Sequence, residues 1–194
     1  MSTALEKLSE EIKGCTLCEL HKTRKNAVVG AGNEKADIML IGEAPGRFED
    51  EQGVPFVGVA GQRVLNKILA HIGLKREDIY ITNIVKCRPP NNRNPATKEI
   101  ALCAPYLDKQ IELIQPKVIC TLGNFSTKYI LNKYGFEGES ISKVHGKIFR
   151  VNNLFGSLAI LPLYHPAAAL YNPNLLEIIL KDAEQIEKVL ETQV

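Results

Sequence analysis

Hydrophobic and polar positions follow two periods along this chain, and the switches between them mark the elements. The apolar runs ADIMLIG (36–42), IYITNIV (79–85), KVICTLG (117–123), KIFRV (147–151) and SLAILPLYH (157–165) have strand length. The last two flank NNLFG and read as a strand pair. Elsewhere the period lengthens to that of a helix. Thr3-Ala4-Leu5-Glu6 has the form of a capping box and opens a short helix that stops near Gly14. Val64, Leu65, Ile68, Leu69 and Ile72 share one face of a helix expected over 60–72. Asn94 and Pro95 suit the N-cap and first position of another, which runs to about Ile114. Pro105 lies inside it and should kink or interrupt it. A helical stretch covers Phe125 to Tyr134, and Asn172-Pro173 cap a long amphipathic helix reaching Leu190. Strands alternating with helices predict an α/β fold with a mainly parallel sheet. No repeat, low-complexity segment or linker divides the chain, so residues 1–194 are expected to form one domain.

Composition narrows the classes. The 24 basic residues exceed the 22 acidic ones by two, a balance that neither demands nor excludes a nucleic-acid partner. No apolar run approaches a membrane span, and MSTALEKLSEEIK lacks the apolar core of a secretory signal. A cytoplasmic, monomeric protein is the expectation. In that compartment thiols stay reduced, so five cysteines suggest a metal site or core thiols before disulfides. Cys15 and Cys18 form a C-x-x-C pair, and Cys87 and Cys103 are separated by 15 residues. Four thiolates can hold zinc or an iron–sulfur cluster, and spacing alone leans slightly to zinc. Cys87 and Cys103 could also be unrelated core thiols. Cys120, inside VICTL, reads as a buried thiol.

Ligands of open α/β sheets bind beyond the carboxyl ends of the strands. Here those ends supply Glu43-Ala44-Pro45-Gly46, Asn83, Gly123-Asn124 and His165-Pro166. Each alone has a bland structural reading, but together they outline a pocket with an amide, an imidazole and the aromatic Phe56. The loop 86–94 carries Lys86, Arg88 and Arg93 without an acid, and Lys22, Arg24 and Lys25 follow the first cysteine pair. Basic loops beside both halves of a metal site would make a phosphate-binding edge.

GEAPGRFEDEQGVPFVGVAGQ, ITNIVKCRPPNNRNP, the four cysteines and YHPAAALYNP, in this order, resemble the family 4 uracil-DNA glycosylases. The resemblance implies an α/β/α sandwich around a short parallel sheet and a [4Fe–4S] cluster on Cys15, Cys18, Cys87 and Cys103, in place of zinc. It implies excision of a flipped uracil from DNA. Phe56 would stack on the base, Asn83 would read its Watson–Crick edge, and His165 would stabilise charge at O2. Lys86, Arg88 and Arg93 would touch DNA, with Leu170 or Tyr171 wedging the vacated space or packing internally. Where other superfamily members carry an aspartate to orient water, this chain has Ala44, which offers only its backbone. Glu43, Glu49 or a carbonyl would then hold the water, although Glu49-Asp50 could equally be a solvated acidic pair. The rival reading is a non-catalytic four-cysteine nucleic-acid-binding module.

Overall fold

The computed structural model describes residues 3–153 and 156–191. Its strands are β1 (Ala31–Gly32), β2 (Ile38–Gly42), β3 (Tyr80–Asn83), β4 (Val118–Leu122), β5 (Phe149–Asn153) and β6 (Gly156–Leu163). They form one sheet in the order β1-β3-β2-β4-β6-β5. The four central strands run parallel, and β1 and β5 close the two edges antiparallel. The expected strands are all present. Leu154 and Phe155, between β5 and β6, lie outside the described residues.

Strands buried on both faces explain the continuous apolar runs. Met39 and Ile41 of β2 face a core completed by Leu5, Leu8 and Ile12 of α1 (Ala4–Lys13). Ile38 and Leu40 face a second core on the opposite side. The helices continue as α2 (Arg47–Gln52), α3 (Asn66–His71), α4 (Thr97–Ile114), α5 (Asn124–Lys133) and α6 (Ile141–Val144). After β6 come α7 (Pro166–Tyr171), α8 (Asn174–Ala183) and α9 (Gln185–Glu191). Leu107 and Ile111 of α4 and Ile130 of α5 join the first core, while Ile68 of α3, Ile179 of α8 and Ile186 of α9 join the second. The result is an α/β fold of three layers, helices flanking a mostly parallel sheet.

Four helix expectations change in detail. The capping box at Thr3 is present, with Thr3 Oγ1 accepting from the Glu6 amide and Glu6 accepting from that of Thr3. The stretch expected as one helix over 60–72 begins as a π-helical segment, Ala60–Leu65, before α3. Gly61 lies within that segment, where a Cβ would sit 1.7 Å from the Phe56 carbonyl oxygen, so only glycine lets it pack against Phe56. α4 starts at Thr97 with Ala96 as N-cap, two residues later than Asn94, because Glu99 folds back onto the Ala96 amide. It runs unbroken through Pro105. Pro105 and Ala101 both face solvent, so the carbonyl that loses its amide partner is open to water. The C-terminal amphipathic stretch divides at Glu184 into α8 and α9.

Candidate active site

β2, β3, β4 and β6 end side by side, and their last residues bring the candidate side chains together. Asn83 closes β3, 2% exposed, and its amide makes no hydrogen bond among the described residues. A buried polar group without a partner is costly and rare, and it marks a place where a ligand completes the bonding. Asn83 adjoins Phe56 across Gly42: a Cβ on Gly42 would lie 2.3 Å from Asn83 Oδ1 and 2.7 Å from Phe56 Cζ. Glycine at the end of β2 is therefore what lets amide and ring share this space. The ring of Phe56 lies 5.7 Å from that of His165, tilted by 31°. Gly123, at φ +91°, turns the chain after β4, and a Cβ there would press within 3.2 Å of His165 Cβ.

Phe56 is held in the left-handed region, φ +53°, unusual for a residue with a side chain. Arg76 fixes it there, donating from Nη2 to the Phe56 carbonyl at 2.5 Å and from Nη1 to the Pro55 carbonyl at 3.2 Å. Nothing in the sequence pattern marked Arg76 as a clamp.

His165 is the N-cap of α7, and its Nδ1 accepts from the Ala167 amide at 3.1 Å. That bond selects the neutral tautomer with the proton on Nε2. Burial pulls the imidazole down to about 4, opposed in part by the charge of Glu49. The site thus offers a neutral N–H donor across the physiological range. The sign follows: the unfolded state binds the proton more tightly, so this contribution to stability is complete above pH 6.5 and fades as pH falls toward 4. The reaction at this site is expected to show no inflection near pH 6.5 attributable to His165 in single-turnover pH–rate profiles. A break there that disappears in His165→Asn would assign a charged imidazole instead.

The two acids separate. Glu49 is half-buried, accepts from the Gly58 amide at 2.9 Å, and its charge reaches His165 and Arg76. Glu43 has its carboxyl raised by burial. Asp50 overturns the solvated-pair reading: it is 2% exposed and accepts from the Lys25 amide at 2.9 Å, tying α2 to the basic loop. Ala44 packs partly buried against the core.

Cys15, Cys18, Cys87 and Cys103 line one cavity, together with Arg24 and Tyr106. Arg24 Nη1 donates to Cys87 Sγ at 3.0 Å, and the Lys86 amide donates to Cys103 Sγ at 3.2 Å. Burial pushes the Cys103 thiol up to about 11, so a thiolate there needs a compensating cation. Four soft donors around one space, two of them already receiving N–H···S bonds, fit a thiolate-ligated centre. As placed they ring the cavity: no three His, Cys, Asp or Glu side chains among the described residues group as they would on a single metal ion. Cys120 is fully buried in β4, as expected.

Two of the basic residues turn away from the expected phosphate edge. Lys86 is 1% exposed, and its ammonium points into the protein, donating to Thr82 Oγ1, the Asn83 carbonyl and Gln110 Oε1. It cannot reach a phosphate. Arg24 is likewise turned inward to Cys87 and the Lys13 carbonyl. Arg93 is half-exposed and paired bidentately with Glu99, and Arg88 bonds Asn92. Leu170 is 40% and Tyr171 89% exposed at the end of α7, which excludes internal packing for Tyr171. No helix among the described residues is long and apolar enough to cross a membrane.

The sheet and its strand-end pocket belong to a known class: the family model described as the uracil DNA glycosylase superfamily matches residues 29–192. The chain is 50% identical over 186 residues to the type-4 uracil-DNA glycosylase of Sulfurisphaera tokodaii, covering 96% of this chain and 84% of that protein. It is 49% identical over 183 residues to that of Archaeoglobus fulgidus, covering 94% and 92%. For the Thermotoga maritima protein the figures are 41% over 191 residues, covering 97% and 96%. The chain belongs to the type-4 uracil-DNA glycosylases of that superfamily.

Proposed function

We propose that this chain takes a uracil nucleotide out of the DNA stack and hydrolyses its glycosidic bond with Asn83, Phe56 and His165 in distinct roles. Uracil excision in DNA repair is its activity, and it is a hydrolase. The observation that carries the residue assignment is the buried, unpartnered amide of Asn83 beside Phe56. Uracil offers that amide an acceptor at O4 and a donor at N3, and Phe56 supplies a face for the ring. As the bond from the sugar to the base nitrogen breaks, negative charge grows on O2. His165 donates from Nε2 to that oxygen, an interaction stronger in the transition state than in the ground state. Water supplies the oxygen that replaces the base on the sugar, and Glu49 or Glu43 orients it. Ala44 contributes backbone alone.

Cys15, Cys18, Cys87 and Cys103 are the ligands of a [4Fe–4S] cluster in this reading, which suits thiols ringed about a cavity. The cluster supplies a structural cross-link, since hydrolysis transfers no electrons. Uracil-containing DNA is the partner. Arg88 and Arg93 form its phosphate edge: the Arg88–Asn92 side-chain bond is exposed and weak enough to exchange for phosphate, and Arg93 stays half-exposed while paired with the buried Glu99. Leu170 and Tyr171 are the wedge that fills the vacated stack. Arg88→Gln is expected to flatten the slope of log affinity against log salt by roughly one unit. An unchanged slope moves the phosphate contact elsewhere.

The test is incubation with a uracil-containing oligonucleotide, then alkali and sizing of the fragments. Cleavage at the uracil position supports the reading. Intact oligonucleotide with retained binding favours the non-catalytic module.

A further inference from the structure

The basic side chain that sequence reading placed on DNA has another task. Lys86 follows the base-reading strand by three residues and immediately precedes Cys87. Its ammonium has three N–H donors and meets three acceptors: Thr82 Oγ1 at 2.7 Å, the Asn83 carbonyl at 2.7 Å and Gln110 Oε1 at 2.6 Å. A lysine amino group so deeply buried is tolerated only when its N–H groups find acceptors, and here three stand within hydrogen-bonding distance. Two of its acceptors lie on β3, and the third is on α4, the helix that carries Cys103. The same residue's amide donates to Cys103 Sγ, and its carbonyl accepts from the Val28 amide at 2.7 Å. One residue thus joins the end of the base-reading strand to the helix and loops that bear the cysteines.

We propose that Lys86 is a positioning residue for uracil excision: its ammonium clamps the main chain of Asn83 to the cysteine-bearing framework and so sets where the reading amide stands. This rests on the assignment of Asn83 as base reader. A base pocket works only while its amide stays in register with the ring beneath it. A displacement near 1 Å costs on the order of a hundredfold in rate even when it originates away from the reacting atoms. The Ile84 and Val85 amides hold this strand end to β2 through the Gly42 and Glu43 carbonyls, and Lys86 adds the tie to α4 that the unpartnered Asn83 side chain does not supply.

Lys86→Met keeps the length and removes the three bonds. Expected in this variant are unchanged iron per chain, parental affinity for uracil-free duplex and a parental salt slope. The single-turnover rate constant on uracil DNA should fall by roughly ten- to a hundredfold, with the full reacting amplitude retained. A merely structural role would lower amplitude or iron content and leave the rate constant of the surviving molecules alone, and that result overturns the proposal. A salt slope flattened by one unit overturns it too, by making Lys86 a phosphate contact. Should Lys86→Met fail to fold, Gln110→Leu removes one acceptor from α4. It is expected to lower the same rate constant several-fold at full amplitude, and a parental rate constant there overturns the clamp. If the parent chain itself leaves uracil in place, the base-reader assignment falls first; if the parent excises normally and Lys86→Met matches it, only the clamp falls.

Discussion

Asn83→Asp is expected to lose most uracil excision and to gain a weak activity on cytosine. Uracil presents an acceptor at O4 and a donor at N3, whereas cytosine presents a donor at N4 and an acceptor at N3. An amide held in one orientation satisfies the first and opposes both groups of the second. Each stranded buried polar group costs on the order of 1–3 kcal/mol, so two give several orders of magnitude of discrimination. Asn83 is 2% exposed, which keeps water from rescuing the wrong base. Aspartate removes the amino donor to O4 and supplies an acceptor for the cytosine amino group. Asn83→Ala should lose uracil activity with no such gain. His165→Ala should slow excision of every accepted base, because O2 is common to uracil and cytosine. Single-turnover excision on matched uracil and cytosine oligonucleotides checks all three. If Asn83→Asp keeps the parental uracil-to-cytosine ratio, the pocket assignment fails.

With the proposed cluster on its four cysteines, the parent is expected to be brown and Cys103→Ser colourless, iron-poor and far lower melting. Cys103 is 7% exposed in the first core, so the change removes a ligand and also buries a hydroxyl among apolar neighbours. Losing such a cross-link is on the scale of about 4 kcal/mol or more. At about 2–4 °C per kcal/mol for a chain of this size, the melting point should drop by about 8–16 °C. Cys15→Ser, Cys18→Ser and Cys87→Ser should behave alike, and Cys120→Ser should retain its iron. Iron analysis with calorimetry decides the matter. Stoichiometric zinc in the parent, or iron loss in Cys120→Ser, would overturn the ligand set.

Much of this was legible because local patterns and a parallel sheet leave plain marks. Strands buried on both faces must be apolar throughout, so β2 and β4 stood out as IMLIG and VICTL. Thr3 with Glu6 announced α1, since a capping box needs only residues three apart. Asn83 and His165 were found because strand ends are where such sheets bind ligands. Boundaries were less legible where distant groups set them. The 60–72 stretch starts as a π-helical segment packed against Phe56 at Gly61, and Glu99 moved the start of α4 to Thr97.

The charged residues draw the line between the two levels. Sequence by itself determined an α/β fold with a mainly parallel sheet and the strand ends that carry the pocket, because these follow from period. The layer order and the four cysteines as one set came from the family resemblance, since spacing left Cys87 and Cys103 open as core thiols. It could not say which way a long side chain turns. Lys86, Arg24 and Asp50 lie in stretches that read as solvated or DNA-facing, Arg76 lies in one without a reading, and all four turn inward. Burial of a charge depends on acceptors that reach it from elsewhere in the chain: Gln110 for Lys86, the Phe56 carbonyl for Arg76, the Lys25 amide for Asp50. Those partners lie about twenty residues or more away in sequence, and only the packed sheet and helices bring them within hydrogen-bonding distance.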